Sequence, residues 1–188
     1  LVEALRDVFQ NLPPEACAAG IHGEGDHFCA GLDLSELQER DASAGVHHSR
    51  SWHVALNAVE QGRVPVVAAL HGAVVGGGLE LASACHIRVA DESAFYALPE
   101  GTRGIFVGGG GTVRIQRVVG TTVMMDMMLT GRLLNIEEGL NEHIVRYAVP
   151  QGQALSKALE LAQRIAQNSL ETNWMIINVL PRVQDLSH

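Results

Sequence analysis

Cysteine is scarce in this chain and lysine scarcer still: Cys17, Cys29 and Cys85 are the three cysteines, and Lys157 is the single lysine. Three widely spaced cysteines without a C-x-x-C pair argue against a disulfide framework and against a zinc site. They lead to the expectation of a reducing, cytoplasmic setting with no bound metal. Basic residues are outnumbered 13 to 21, which gives a formal net charge of −8 with the nine histidines neutral. Such a chain lacks the basic face that supplies most affinity for a polyanion, so no nucleic-acid partner is expected. A small anionic ligand held by a few local donors stays open. Long hydrophobic runs are missing as well. The longest apolar stretch, Val64 to Ala84, is interrupted by His71, Gly72, Gly76 to Gly78 and Glu80, so no membrane span is expected.

What remains is an ordinary globular composition, 188 residues with 47% hydrophobic and 18% charged. That length suits one domain, burying about 70% of its unfolded surface without disulfides or metals. Leu1, Leu5, Val8, Phe9 and Leu12 recur at helical spacing until Pro13-Pro14. Ala16 to Ile21 reads as a buried strand, and His22 to Gly31 as a glycine-punctuated loop. Leu34 and Leu37 start a helix, 41–48 reads as polar and mobile, and Trp52, Leu56 and Val59 mark a helix ending near Gly62. Pro65 to Leu70 predicts a buried strand, followed by a glycine-rich turn and a helix from Gly77 to Cys85. Short strands follow at His86 to Ala90 and Ala94 to Ala97. After the loop Pro99 to Gly111 come helices through Val118 and Leu129. Asn135 and Glu138 form a capping-box start, and Ile144 to Val149 suggests a last strand. Leu155, Leu159, Ala162 and Ile165 share one helix face, and Leu170 to Leu180 is helical. This alternation predicts an α/β protein with largely parallel sheets. Residues 1–148 are expected to form the core and 149–188 to begin a C-terminal helical region, with both termini of the protein missing.

Three glycine-rich segments carry the chemistry: Phe28-Cys29-Ala30-Gly31-Leu32-Asp33, then His71 through Gly76-Gly77-Gly78 to Glu80, then Pro99-Glu100 through Gly108 to Thr112. None is a phosphate loop, because no Gly-Lys-Ser/Thr follows, and none has the dinucleotide spacing. Gly108 to Gly111 taken alone reads as a flexible turn. The second segment is more telling. A strand, a glycine run and a helix place bare backbone N–H groups at a helix N-terminus, suited to an oxygen that gains negative charge. One helix and a strand pair separate Glu80 from Glu100, enough chain to return the second carboxylate to the same end of the sheet. Two carboxylates on one pocket, one charged and one neutral, can act as base and acid around a single water.

The run Gly76-Gly77-Gly78-Leu79-Glu80-Leu81-Ala82, the Glu100 loop and the FCAGLDL segment together resemble the crotonase superfamily, specifically its enoyl-CoA hydratases, over nearly the whole chain. The resemblance implies a spiral of ββα units with C-terminal helices that support a homotrimer or a dimer of trimers. It implies that the N–H groups of Leu32 and Gly77 form an oxyanion hole for a thioester carbonyl. It also implies that Glu80 activates water, that Glu100 protonates the α-carbon, that Gly108 helps to hold the water and that Ala30 meets the adenine of CoA. The substrate is then an acyl-CoA thioester, with CoA as part of the substrate and no separate cofactor. His86, Val107, Gly101 and Arg103 depart from the usual pattern. The segments around Ala84 to Arg88 and Leu98 to Gly108 look most like a bacterial subgroup containing methylthioacryloyl-CoA hydratases. An isomerase, an acyl-CoA hydrolase and a non-catalytic CoA- or RNA-binding relative are the alternatives.

The remaining polar and sulfur residues have structural readings: a hydrogen-bonding role for His86, a solvated face for His47, His48 and His53, core for the methionines at 124, 125, 127 and 128, packing for Trp52 and Trp174, and no nucleophilic role for Cys29 or Cys85.

Overall fold

Strand β2 (Val66–Leu70) is buried at all five positions, as befits a strand in a parallel sheet covered on both faces. It lies between β1 (Ala19–His22) and β4 (Ile87–Asp91), and β6 (Tyr147–Val149) completes the order β1-β2-β4-β6 with every pair parallel. The computed structural model describes residues 1–32 and 42–183. The helix start expected at Leu34 and Leu37 lies outside the described residues.

Side chains alternate across a strand, so β2 feeds two cores. Val66, Ala68 and Leu70 pack with Leu56 and Val59 of α2 (Ala42–Glu60), with Tyr96 and with Met127. Val67 and Ala69 pack with Val89 of β4 under Ala154, Ala158 and Leu161 of α6 (Ala154–Ile165). Helix α6 belongs to the segment assigned above to a C-terminal helical region, and it packs directly on the sheet. At the other end of the chain, α1 (Val2–Gln10) buries Phe9 and packs against α2.

A second, two-stranded sheet pairs β3 (Ala73–Val75) with β5 (Phe95–Ala97), also parallel. Helix α3 (Gly77–Ala84) follows β3, and α4 (Gly111–Thr130) follows the loop after β5. Gly120 breaks α4 with φ 78°, which produces the two helices expected there. Helix α5 (Ile136–Asn141) carries the expected capping box, with Asn135 and Glu138 exchanging hydrogen bonds of 2.9 Å in both directions. Helices α7 (Leu170–Asn178) and α8 (Leu180–Val183) end the described chain; Pro181 sits in the first turn of α8, where no intrahelical N–H is needed.

Two sequence readings are corrected. Residues 42–48 are not a mobile stretch but the start of α2, whose burial of Leu56 and Val59 supplies the stability its polar first turns lack. The residues after Leu70 are not simply a turn, because Ala73–Val75 is the strand that founds the second sheet. Three residues are too few to show periodicity. Among the described residues no helix is long and apolar enough to cross a membrane.

Candidate active site

The second sheet assembles the site. Cys29 pairs with β3: its N–H donates to the Ala73 carbonyl and its carbonyl accepts from Val75 N–H, both at 3.0 Å. This lays Ala30 to Leu32 beside the turn from β3 into α3. The approach is close enough to demand glycine. Gly31 has φ 93°, and a Cβ there would lie 2.8 Å from the Val75 carbonyl and 3.3 Å from the Gly77 nitrogen. A Cβ on Gly78 would lie 2.1 Å from the Cys29 carbonyl. The amides of Leu32 and Gly77, far apart in sequence, thus belong to two segments pressed together. Gly77 opens α3, so its N–H has no acceptor within that helix and points with the positive end of the helix dipole.

Glu80 sits in the first turn of α3 and is 5% exposed. Its Oε1 accepts the N–H of Gly109 at 2.8 Å and that of Gly111 at 2.8 Å. Gly111 is the first residue of α4, so the carboxylate lies at the tip of a second helix. A Cβ on Gly109 would come within 3.0 Å of Glu80 Oε1, and one on Gly111 within 2.8 Å of Glu80 Cγ. The glycine run is therefore a cradle for a carboxylate and not a flexible turn. The sequence reading did not single out Gly109 and Gly111, whose amides hold the Glu80 carboxyl. Gly108, the one it named, is anchored by its carbonyl, which accepts from Ser49 Oγ at 2.8 Å.

Glu100 follows β5, ahead of the single helical turn Gly101–Arg103, and is 7% exposed. Its Oε2 is buried without a hydrogen-bond partner among the described residues. A Cβ on Gly76 would lie 2.8 Å from Glu100 Oε1, so glycine there lets the second carboxyl approach the turn that holds Gly77.

Burial pushes both carboxyls above the ordinary range for glutamate. For Glu80 the Gly111 and Gly109 amides, then the charges of Arg114 and His53, pull in the opposite direction. For Glu100 its own backbone amide and Arg103 oppose burial, while the negative charge of Glu80 adds to it. The two groups are thereby set apart. Glu80 has donors for an anion, whereas Glu100 has a bare oxygen and a negative neighbour, the setting of a protonated acid.

A cavity of ≈ 270 Å³ is lined by all six residues singled out from the sequence: Ala30, Leu32, Gly77, Glu80, Glu100 and Gly108. Helix α2 supplies a further wall through Gly45, His48, Ser49 and Trp52, which share one face at helical spacing. The Trp52 ring lies over Gly77, where a Cβ would meet its Cη2 at 2.7 Å. Trp52 is therefore a cavity residue and not only a packing residue, and His48 is half-buried at the cavity instead of solvated. The spacing of the four was the available signal.

His86, the methionines and Cys85 have simple surroundings. Val66 N–H donates to His86 Nδ1 at 2.9 Å, which leaves Nε2 to donate to the Glu60 carbonyl at 3.0 Å, a structural staple. Met124 and Met127 are core, whereas Met125 and Trp174 are about half exposed. Burial pushes the Cys85 thiol up to about 12, which makes it inert. Among the described residues no set of His, Cys, Asp or Glu side chains converges as metal ligands.

Residues 1–182 match the enoyl-CoA hydratase/isomerase family. The chain is 44% identical over 145 residues to the fatty acid oxidation complex subunit alpha of Shewanella putrefaciens (strain CN-32 / ATCC BAA-453), a match covering 76% of this chain and 20% of that protein. It therefore spans only about a fifth of the length of this curated relative. A crystal structure of a Rhodopseudomonas palustris CGA009 protein, described as a candidate enoyl-CoA hydratase, superposes with TM-score 0.97 at 53% identity, over 100% of this chain and 72% of that one. Enoyl-CoA hydratase from Bacillus anthracis superposes with TM-score 0.91 at 31% identity, over 99% and 73%.

Proposed function

Because the chain belongs to the enoyl-CoA hydratase/isomerase family, we propose that it adds water across the α,β double bond of a trans-enoyl-CoA thioester. The observation that carries this reading is the pair of buried glutamates, Glu80 and Glu100, on one cavity, the first holding two amide donors and the second a buried oxygen with none among the described residues.

The thioester carbonyl accepts the N–H groups of Leu32 and Gly77, which polarises the conjugated double bond and stabilises enolate charge. Loss of one such donor costs about 3–4 kcal/mol of barrier. Ionised Glu80 takes a proton from water as its oxygen bonds to the β-carbon, and neutral Glu100 gives its proton to the α-carbon. The Gly108 amide helps to hold the water. Afterwards Glu80 carries the proton and Glu100 does not, so exchange with solvent resets the pair. In this reading the addition is syn, with water and proton reaching the same face of the double bond. CoA enters as part of the substrate, with the Ala30 backbone meeting its adenine, and the reading calls on no separate cofactor. A trimer or a dimer of trimers is the assembly proposed with it.

The test is loss of the conjugated-thioester absorbance when the protein meets crotonyl-CoA. Rapid loss that disappears in Glu80→Gln supports the reading. No loss with folded protein overturns it for this substrate, and a methylthioacryloyl thioester is then the comparison.

A further inference from the structure

Arg114 is placed where helix electrostatics disfavours it. It lies in the first turn of α4, at the positive end of the dipole, and is 8% exposed. Burying a guanidinium is costly unless its donors are satisfied, and here they are, by three separate groups. Nη1 donates to the Gly109 carbonyl at 3.0 Å. Nε donates to Glu60 Oε2 at 2.8 Å, and Nη2 donates to Asn57 Oδ1 at 2.6 Å, both acceptors on α2. The glycine between the clamped carbonyl and the helix is shaped around this arrangement: Gly110 has φ 96°, and a Cβ there would lie 2.6 Å from Arg114 Nη1. The Gly109 carbonyl belongs to the peptide between the two amides that grip Glu80.

We propose that Arg114 is a positioning residue of the site: by tying the Gly109 carbonyl to Glu60 and Asn57 of α2, it holds the Gly109 and Gly111 amides on the Glu80 carboxylate. An ion pair serving stability alone would need only the contacts to α2. The fork to Gly109 is what connects it to the reacting carboxylate. Lys cannot substitute, because one ammonium does not present the planar fork that reaches a carbonyl, an amide and a carboxylate at once. The charged groups facing Glu80 are Arg114 from α4, His53 from α2 and Glu100 from the loop after β5, with Glu60 behind Arg114. Removing Arg114 thus removes a cation, frees the anion of Glu60 and slackens two amides. All three changes disfavour ionised Glu80.

The inference rests on the reading of Glu80 as an ionised base. Arg114→Met and Arg114→Lys would be compared with the wild type for folding by circular dichroism, then for crotonyl-CoA hydration across pH. The expected result is a fall in kcat of about 100-fold, the cost of a misplaced catalytic group, with KM nearly unchanged. The acidic limb of the profile moves to higher pH in Arg114→Met, and added guanidinium ion restores part of kcat. Arg114→Lys folds but stays impaired. A folded Arg114→Met with the wild-type acidic limb overturns the proposal, and so does Arg114→Lys with the wild-type kcat. If the wild type hydrates no enoyl-CoA, the functional reading has failed on its own. NMR titration of isotope-labelled glutamate, with Glu80 assigned through Glu80→Gln, then decides: an upward move in Arg114→Met supports the clamp, and an unmoved Glu80 contradicts it.

Discussion

Glu80 and Gly111 join the tips of two helices: the carboxylate from the first turn of α3 accepts, at 2.8 Å, the N–H that opens α4. A carboxylate buried to 5% exposure would ordinarily take up a proton, and burial does push it that way. Two backbone donors and the positive end of α4 oppose that pull. The fold thus offers main-chain donors to a buried carboxylate, a geometry that requires glycine at 109 and 111.

Gly109→Ala tests that geometry. Its Cβ would intrude to about the limit of contact with both carboxylate oxygens, at 3.0 and 3.2 Å, so Glu80 must rotate away from its donors. Crotonyl-CoA turnover is expected to fall by about 100-fold, the cost of misplacing a catalytic group, while thermal stability changes little. Stopped-flow absorbance and a melting curve measure the two.

Glu100→Gln should stabilise the fold while impairing turnover. Burial raises the Glu100 pKa in the folded state, so the native protein binds this proton more tightly than the unfolded chain does. The stability linked to that proton is full below the ordinary glutamate range and is lost as pH rises through the raised value. At neutral pH the variant, which has no charge to bury, therefore melts higher than the wild type. The gap narrows as pH falls toward the ordinary glutamate range. Melting curves across pH read this directly, and a wild type that melts higher at neutral pH contradicts it.

Gly78→Ala probes how the two distant amides are brought together. A Cβ 2.1 Å from the Cys29 carbonyl forces the segment carrying Ala30 to Leu32 away from α3. Overpacking of this kind costs about 1–3 kcal/mol. Denaturant unfolding measures that loss, and a rise in KM for the thioester is expected alongside it.

Trp52→Ala should alter which acyl groups are accepted. The indole walls the cavity over Gly77, so its removal opens room beside the turn from β3 into α3. Relative kcat/KM should move toward bulkier enoyl groups by about tenfold, the discrimination a modest change in an apolar pocket supplies. An unchanged ranking across a series of acyl chains would place the acyl group elsewhere.

Sequence patterning revealed the α/β alternation because the apolar strand at β2 is flanked by segments of helical length, α2 before it and α3 and α4 after it. The strand Pro65 to Leu70 and the helix opening at Gly77 are nearly as read. Strand β3 was invisible: Ala73–Val75 is too short to show a period and lies inside a glycine-rich stretch. That strand pairs with Cys29 and so brings the segments of Leu32 and Gly77 together, which made their convergence readable only through family likeness. Glu80 and Glu100 were legible as a pair from their intervening helix and strands. The contacts of Gly109, Gly111 and Arg114 were not, because they are main-chain hydrogen bonds and a fork between α2 and α4 that no local spacing encodes.

The central claim is that Glu80 and Glu100 together deliver the elements of water to an enoyl thioester. The most direct measurement is mass spectrometry of the product formed from crotonyl-CoA in heavy-oxygen water, with wild-type, Glu80→Gln and Glu100→Gln proteins. The account predicts an intact CoA thioester carrying one heavy oxygen on the β-carbon, formed about 10²- to 10⁴-fold more slowly by either variant. Heavy oxygen in a free acid, or a β-hydroxy product formed at the wild-type rate by either variant, would contradict it.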